Sequence, residues 1–288
     1  MKTIHGSWRD DPSAVTLIDA HHHLWDLKRN YYPWLCDERP IPFRYGDYSS
    51  LRRRYLVDDY RADASGWRVT KAVYVEAEWD PRDPLGEMEF LSRIRRSSGL
   101  PTVAIAQAWL DRDDCAEVLE AHARHPFVRG VRHKPRPGMM GERRWRLGYA
   151  RLEPLKLHFE LQAPFSLLGE AARLAIDFPG TTIVLNHTGL PSSQDVHGWR
   201  SAMSQLAACP NVMVKVSGMG VPVREFVLGA LELFGVDRAM FASNYPVDSL
   251  RASFTTIYSG FEEITRGMRE TERRALFHDN AVRIYRME

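Results

Sequence analysis

The stretch that carries the most structural information reads VTLIDAHHH and spans residues 15–23. In it, a mainly apolar run at residues 15–18 is followed by Asp19, Ala20 and three histidines. Successive side chains of a β-strand point to opposite faces, so His21 and His23 share one face and His22 takes the other. Two imidazoles on one face at a strand end can bind one metal ion or polarise one carbonyl oxygen. The stretch therefore predicts a strand that forms one wall of an active site, with a surface histidine cluster as the alternative.

Further β-rich runs follow this first strand, and most are separated by segments with helical spacing of apolar residues. The β-rich runs span residues 72–78, 102–109, 127–133, 157–162, 182–187, 212–217 and 238–244. The helical segments span residues 87–94, 116–123, 165–175 and 226–233. Alternation of strand and helix over eight strands predicts an α/β fold, a single (β/α)8 TIM-type barrel. A doubly wound open sheet is the alternative, but no glycine-rich phosphate turn follows the first strand.

Length and composition agree with one large barrel. The chain has 288 residues, of which 44% are hydrophobic, enough for a sizeable core. No low-complexity linker divides it, so we expect one domain over residues 1–288. Two segments, near residues 27–64 and 139–152, are predicted to be long loops; the first is rich in aromatic residues and is expected to lie over the barrel mouth.

Charge and cysteine content narrow the functional classes. The net charge is only +2, which does not suggest nucleic acid or an anionic membrane as a partner. Three cysteines at positions 36, 115 and 209 show no metal or redox spacing, which indicates reduced thiols. Residues 1–13 lack the apolar core of a signal peptide, and no apolar run is long enough to span a membrane. We therefore expect a cytoplasmic protein.

Polar side chains cluster at the ends of the predicted strands, where barrels of this class carry their catalytic groups. These side chains are His21, His23, Glu76, Glu78, Gln107, Arg132, His133, Glu160, Gln162, His187, Lys215, Ser217 and Asn244. Core packing alone does not explain them, because burial of polar groups is costly unless they are paired or functional. The glutamates could serve only as ion-pair partners of nearby arginines. The three histidines His21, His23 and His187 are the strongest candidates for chemistry.

Five motifs resemble those of one protein family, in the same order and over nearly the whole chain. They are IDAHHHLWD at 18–26, VRGVRH at 128–133, LNHTGLP at 185–191, KVSG at 215–218 and FASNYPV at 241–247. This pattern is similar to the amidohydrolase-related branch that contains 2-pyrone-4,6-dicarboxylate lactonase and the sugar-acid lactonases. The resemblance implies a barrel-fold hydrolase acting on a lactone or similar cyclic ester. The chain lacks a histidine at the end of the fifth strand and an obvious carboxylated lysine, so a two-metal site is not expected.

One position departs from that branch. Its eighth strand usually ends in Ser-Asp, where this chain has Ser243-Asn244, and the aspartate would serve as metal ligand and general base. An amide forms hydrogen bonds but cannot accept a proton near neutral pH. Asp248 or His187 is then the candidate base. The resemblance leaves open whether His21, His23 and His187 hold one divalent metal ion such as Zn²⁺ or no metal.

The predicted function is the opening of a lactone of a sugar acid or of an aromatic-degradation intermediate. The residues predicted to take part in the chemistry are His21, His23, His187, Asn244 and Asp248, the three histidines polarising the carbonyl that water attacks. The residues predicted to bind the substrate are Arg132, Lys215, Glu78, Gln162 and Arg129. The alternatives are a metal-dependent decarboxylase, another C–O or C–N hydrolase, or a catalytically silent barrel that binds a small molecule. We expect a small-molecule substrate as the partner, and the sequence leaves homo-oligomerisation open.

Overall fold

Parallel strands in chain order surround the centre of the protein. The computed structural model describes residues 16–287, so Val15 and the segment 1–13, with its signal-peptide prediction, lie outside the described residues. Neighbouring strands pair in the order β1 to β8 in one eight-stranded sheet. The strands are β1 (Thr16–His22), β2 (Arg68–Val75), β3 (Val103–Gln107), β4 (Val128–Arg132), β5 (His158–Leu161), β6 (Ile183–Leu185), β7 (Val212–Val216) and β8 (Ala239–Phe241).

The last strand meets the first one at their carboxyl ends. The backbone N–H of Asn244 donates to the carbonyl of His21 over 2.8 Å, and the N–H of His23 donates to the carbonyl of Tyr245 over 2.7 Å. These bonds bring the sheet to a nearly closed barrel, and the prediction of a TIM-type fold is confirmed. Closure is made by the same residues that carry the first and last motifs, so the barrel seam lies at the candidate site.

Helices follow most strands and cover the outside of the barrel. They are α1 (Pro33–Cys36), α2 (Val57–Asp63), α3 (Gly86–Ser98), α4 (Cys115–Ala123), α5 (Arg143–Tyr149), α6 (Leu168–Asp177), α7 (Val196–Ala207), α8 (Arg224–Phe234), α9 (Phe254–Thr265), α10 (Glu270–Arg274) and α11 (Asn280–Tyr285). The four predicted helical segments correspond to α3, α4, α6 and α8. Within residues 16–287, none of the helices combines the length and apolar character needed to cross a bilayer.

The two segments predicted as loops contain short helices. Residues 27–64 include α1 and α2, and residues 139–152 include α5. The first segment places an aromatic cluster beside the carboxyl ends of the strands. The rings of Trp34 and Phe43 stack with centroids 5.7 Å apart, and Phe43 contacts Tyr48 at 4.9 Å. This cluster forms a wall at the barrel mouth.

The opposite mouth of the barrel is sealed by the end of the chain. Ile284 and Tyr285 of α11 pack with Ile18, Val73 and Met240 of the barrel interior. The packed side chains are apolar, and such side chains gain free energy by leaving water. Within residues 16–287, this packing leaves the carboxyl ends of the strands as the side from which a ligand can reach the interior polar groups.

Two buried histidines outside the site make stability depend on pH. Burial lowers the pKa of His122 to about 4 and that of His158 to about 3. An unfolded histidine has a pKa of about 6.5, so between these values the unfolded chain binds more protons. Their contribution to stability is complete above pH 6.5 and falls as the pH decreases.

His122→Gln tests this dependence and keeps a donor near the carbonyl of Gln107, which accepts from the His122 ring over 3.0 Å. As the pH is lowered from 6 to 4.5, the free energy of unfolding should fall more steeply for the parent protein than for the variant. The two slopes should differ by about 1.4 kcal/mol per pH unit. Urea unfolding at a series of pH values measures both slopes. Equal slopes would show that His122 is not neutral in the folded protein.

Candidate active site

Three histidines from two strands converge at the barrel mouth. His21 and His23 come from the end of β1, and their ring centroids lie 5.0 Å apart. His187 follows β6 and places its ring 4.5 Å from that of His21. His22 faces the other way and stacks on Tyr60 at 4.6 Å, as strand alternation predicts. The structure therefore brings together the three imidazoles that the sequence singled out.

The ring orientation of His23 is fixed by a backbone carbonyl. Its Nδ1 lies 2.8 Å from the oxygen of Val75, and a carbonyl oxygen only accepts, so Nδ1 carries the hydrogen. Burial, reinforced by the charge of Arg132, lowers the pKa of His23 well below its usual value. The neutral ring therefore presents Nε2 as an acceptor, and this atom lies 3.3 Å from Oδ1 of Asn244.

The other two imidazoles are also neutral. Burial lowers the pKa of His21 and of His187 well below the usual value, with Lys215 as the next cause for His21 and Arg44 for His187. Nδ1 of His187 lies 3.0 Å from the hydroxyl oxygen of Ser217. Both ring nitrogens of His21 are buried and have no hydrogen-bond partner among the described residues. Neutral imidazoles can donate or accept one hydrogen bond at each ring nitrogen, according to tautomer.

Asn244 and Asp248 form a tightly bonded pair beside His23. Asn244 adopts a left-handed backbone conformation with φ of 56°, which asparagine tolerates better than most residues. Its Nδ2 donates to Oδ1 of Asp248 over 2.6 Å. Asp248 also accepts from the hydroxyl of Tyr45 over 3.0 Å and from the N–H of Gly220 over 2.9 Å.

These bonds correct the prediction that Asp248 could act as the base. Its carboxylate is buried, it accepts from four protein donors, and it does not line the cavity. A general base must come within hydrogen-bond reach of the proton that it removes. Asp248 instead holds Asn244 and Tyr45 in place.

A cavity of about 320 Å³ opens above the histidines. His23, His187 and Asn244 contribute to its floor, and Trp34 and Phe43 to an aromatic side. Its volume is in the range of small-molecule sites. The combination of an aromatic side and a polar floor suits a compact ring with polar substituents.

Each cation beside the cavity has a carboxylate partner. Arg132 binds Glu76 through Nε over 2.5 Å, and Lys134 pairs with Glu78. Arg44 lies 3.4 Å from Asp248. The charges of the cavity wall are therefore balanced within the protein.

Three of the predicted substrate-binding residues reach the cavity. Arg132, Glu78 and Gln162 line it. The guanidinium of Arg132 already donates to Gln162 over 2.8 Å and to the carbonyl of Glu76 over 2.7 Å. Its role is therefore largely to order neighbouring side chains and to place a positive charge under the cavity.

The structure does not bring Lys215 and Arg129 to the cavity, which corrects the prediction for both. Lys215 is fully buried and pairs with Glu160 over 2.9 Å. Arg129 lies near the start of β4, and its Nε donates over 2.8 Å to the carbonyl of Tyr285, at the sealed mouth. Gly130 and Val131 separate it from Arg132, so it lies towards the opposite end of the same strand.

Two charged residues of the cavity lining, Lys134 and Arg44, were not predicted. Lys134 lies two residues beyond Arg132, and period-two alternation after β4 would have found it. Arg44 comes from the segment after β1, where no periodic pattern exists. Its position depends on the path of that segment, which local sequence does not determine.

The donor set does not fit a metal ion in this arrangement. A structural or catalytic zinc needs three or four ligands at about 2.0–2.3 Å. Among residues 16–287, no three histidine, cysteine, aspartate or glutamate side chains are grouped to hold one ion. Asn244 supplies an uncharged oxygen, and the carboxylate of Asp248 is turned to other partners. No step is therefore assigned to a metal.

Comparison with known proteins agrees with the fold and the motifs. The family model described as Amidohydrolase matches residues 18–287. An uncharacterised protein of Sinorhizobium fredii, y4mH, is 38% identical over 96% of this chain and all of its own length. An L-fucono-1,5-lactonase of Burkholderia multivorans is 24% identical over 93% of this chain and 95% of its own length.

Solved structures share the architecture. An amidohydrolase of Burkholderia multivorans, crystallised with bound zinc, superposes with a TM-score of 0.81 and 24% identity. The alignment covers 95% of this chain and 100% of that one. This likeness supports the barrel fold, and the family predicted from the five motifs is confirmed by the family model.

Arg132→Met should destabilise the protein by about 3–5 kcal/mol, because it leaves the buried carboxylate of Glu76 without its cation. The double variant Arg132→Met/Glu76→Gln removes both charges and should lose less. Urea unfolding at pH 7 gives both free energies. A loss under about 1 kcal/mol for the single variant would contradict a buried ion pair at this place.

Proposed function

The chain belongs to the amidohydrolase family, and we propose that this hydrolase opens lactone rings by attack of water on the ring carbonyl. The observation that carries the proposal is the convergence of three neutral imidazoles, of which His23 and His187 line one cavity and His21 lies buried between them. A binding protein would have little need for this arrangement. The similarity to an L-fucono-1,5-lactonase adds support from sequence.

His187 is the best-placed group to polarise the carbonyl. It lines the cavity, and the hydroxyl of Ser217 can donate to its Nδ1, which leaves the ring hydrogen on Nε2. A hydrogen bond from Nε2 to the carbonyl oxygen strengthens as negative charge develops there. One such donor contributes on the order of 3 kcal/mol to the stabilisation of the transition state.

The charge balance of the cavity favours an uncharged substrate. Arg132, Lys134 and Arg44 are each accompanied by a carboxylate, so a substrate carboxylate would have to displace one of them. A neutral sugar lactone needs no unpaired cation, and its C–H face suits the aromatic side formed by Trp34 and Phe43. We therefore propose a neutral sugar lactone in preference to an anionic aromatic-degradation intermediate.

His187→Ala should lower kcat on a hydrolysed sugar lactone by about 10²–10³-fold, because the carbonyl loses its donor. The matched control is His197→Ala, which removes an exposed histidine at the start of α7, outside the cavity, and should leave kcat within about twofold. A pH-indicator assay over a panel of five- and six-membered sugar lactones gives the rates. Absence of turnover on every lactone, with turnover on another ester or amide class, would refute the proposed function.

Glu78→Gln tests the charge argument. It removes the carboxylate partner of Lys134, so KM for anionic lactones should fall by about threefold to fivefold, the usual range for a partly exposed ion pair. KM for neutral lactones should change by less than about twofold. Glu142→Gln, which breaks the surface pair with Arg136, is the control. An equal change in KM for both substrate classes would show that the pair does not select charge.

A further inference from the structure

Two hydrogen-bond acceptors face each other at the floor of the cavity. Nε2 of His23 and Oδ1 of Asn244 lie 3.3 Å apart, and both residues line the cavity. The His23 ring hydrogen is on Nδ1, where the carbonyl of Val75 accepts it. Nε2 therefore has a lone pair and no hydrogen to offer to Asn244. Both atoms need a donor, and one donor molecule can satisfy them together.

The amide orientation of Asn244 is fixed by Asp248. A carboxylate accepts only, so the Asn244 group 2.6 Å from Oδ1 of Asp248 is the NH2, and the amide oxygen must face His23. The other carboxylate oxygen accepts from the N–H of Gly220 over 2.9 Å. Burial raises the pKa of Asp248, while Arg44 and these hydrogen bonds favour its charged form.

We propose that His23 and Asn244 hold one water molecule by its two hydrogens, that this water is the nucleophile, and that Asp248 positions it by setting the amide of Asn244. This inference rests on the proposed lactone hydrolysis for its chemistry. A water that donates both hydrogens to the floor turns its oxygen lone pairs to the cavity, where a carbonyl held by His187 would lie.

The step balances with the groups present. The water oxygen bonds to the carbonyl carbon, and one water proton moves to Nε2 of His23. The imidazolium that results donates to the carbonyl of Val75 and to Oδ1 of Asn244, so both of its hydrogens are bonded. When the ring C–O bond breaks, this proton passes to the leaving alkoxide oxygen, and a hydroxy acid is released. His23 is thereby the catalytic base and Asp248 a positioning residue.

The first test needs no substrate. A crystal structure of the free protein at about 1.5 Å should show a water within about 3.2 Å of both Nε2 of His23 and Oδ1 of Asn244. Nitrogen-15 NMR of histidine-labelled protein, with His23→Gln for assignment, should place the His23 hydrogen on Nδ1 at pH 7. A metal ion at that position, no ordered water there, or a hydrogen on Nε2 would overturn the inference.

The second test uses kinetics. In Asp248→Asn, the new amide oxygen can accept from the Asn244 NH2 only if the new NH2 faces the N–H of Gly220, and two donors then oppose each other. The orientation of the Asn244 amide is therefore no longer fixed. We expect kcat to fall by about 10- to 100-fold, with KM within threefold. The double variant Asn244→Asp/Asp248→Asn restores a fixed acceptor towards His23 and satisfies Gly220, so kcat should recover to within about fivefold of the parent.

Asp63→Asn is the control, since Asp63 likewise accepts from a tyrosine hydroxyl, that of Tyr55, outside the cavity. It should keep kcat within about twofold. Full activity of Asp248→Asn, or a double variant no better than the single one, would overturn the positioning role. If the water and the tautomer are found but the parent hydrolyses no lactone, the proposed function fails and the water site stands.

Discussion

The carboxylate of Asp19 is the constraint on which the closure of the barrel depends. It is fully buried and accepts from the hydroxyl and the N–H of Ser243, over 2.6 and 2.8 Å, and from the hydroxyls of Tyr60 and Tyr258, over 2.9 and 3.1 Å. A buried carboxylate without such donors would be very costly, so these bonds determine where β1 can lie. The register that satisfies Asp19 puts Asn244, next to Ser243, beside the histidines that follow Asp19.

Below this seam, buried ion pairs set the electrostatics of the site. Glu160 pairs with Lys215 and accepts from the hydroxyl of Tyr285 over 2.6 Å, while Glu76 pairs with Arg132. The two cations lie close enough to the imidazoles to disfavour their protonation, in addition to burial. The histidines are thus kept neutral at physiological pH, the form in which one can accept a proton and another can donate to a carbonyl. The final helix contributes through Tyr285, which connects the sealed mouth to the charges under the cavity.

The strands were readable from sequence because parallel strands buried on both faces give continuous apolar runs. The exception is the start of β2, which begins at Arg68, four residues before the predicted 72, because residues 68–71 are partly exposed and include two basic residues. Helix α2 was taken for loop because it buries only Val57 and Tyr60 over seven residues, too few for a periodic pattern. The convergence of the histidines followed from strand alternation and barrel order. The position of Arg44 depends on the path that the segment after β1 takes in the folded protein. The position of Arg129 depends on which end of β4 it occupies. Local residue spacing determines neither.

Asn244 is best understood together with Asp248. Nδ2 of Asn244 lies 2.6 Å from Oδ1 of Asp248. If residue 244 were an aspartate, the two buried carboxylates could not both be ionised at that distance, because the repulsion between like charges would force one to keep a proton. Asp248 accepts hydrogen bonds from Gly220, Tyr45 and Arg44 in its charged form. The side chain at position 244 must therefore donate to Asp248 on one side and accept on the side that faces His23. An asparagine side chain does both, and a carboxylate does not unless it is protonated. The departure from the Ser-Asp pattern therefore does not remove the acceptor at the end of β8. It keeps an acceptor oxygen towards His23, and the negative charge lies four residues along the chain on Asp248, away from the cavity. In the mechanism that we propose, the imidazole of His23 takes the proton in place of a carboxylate.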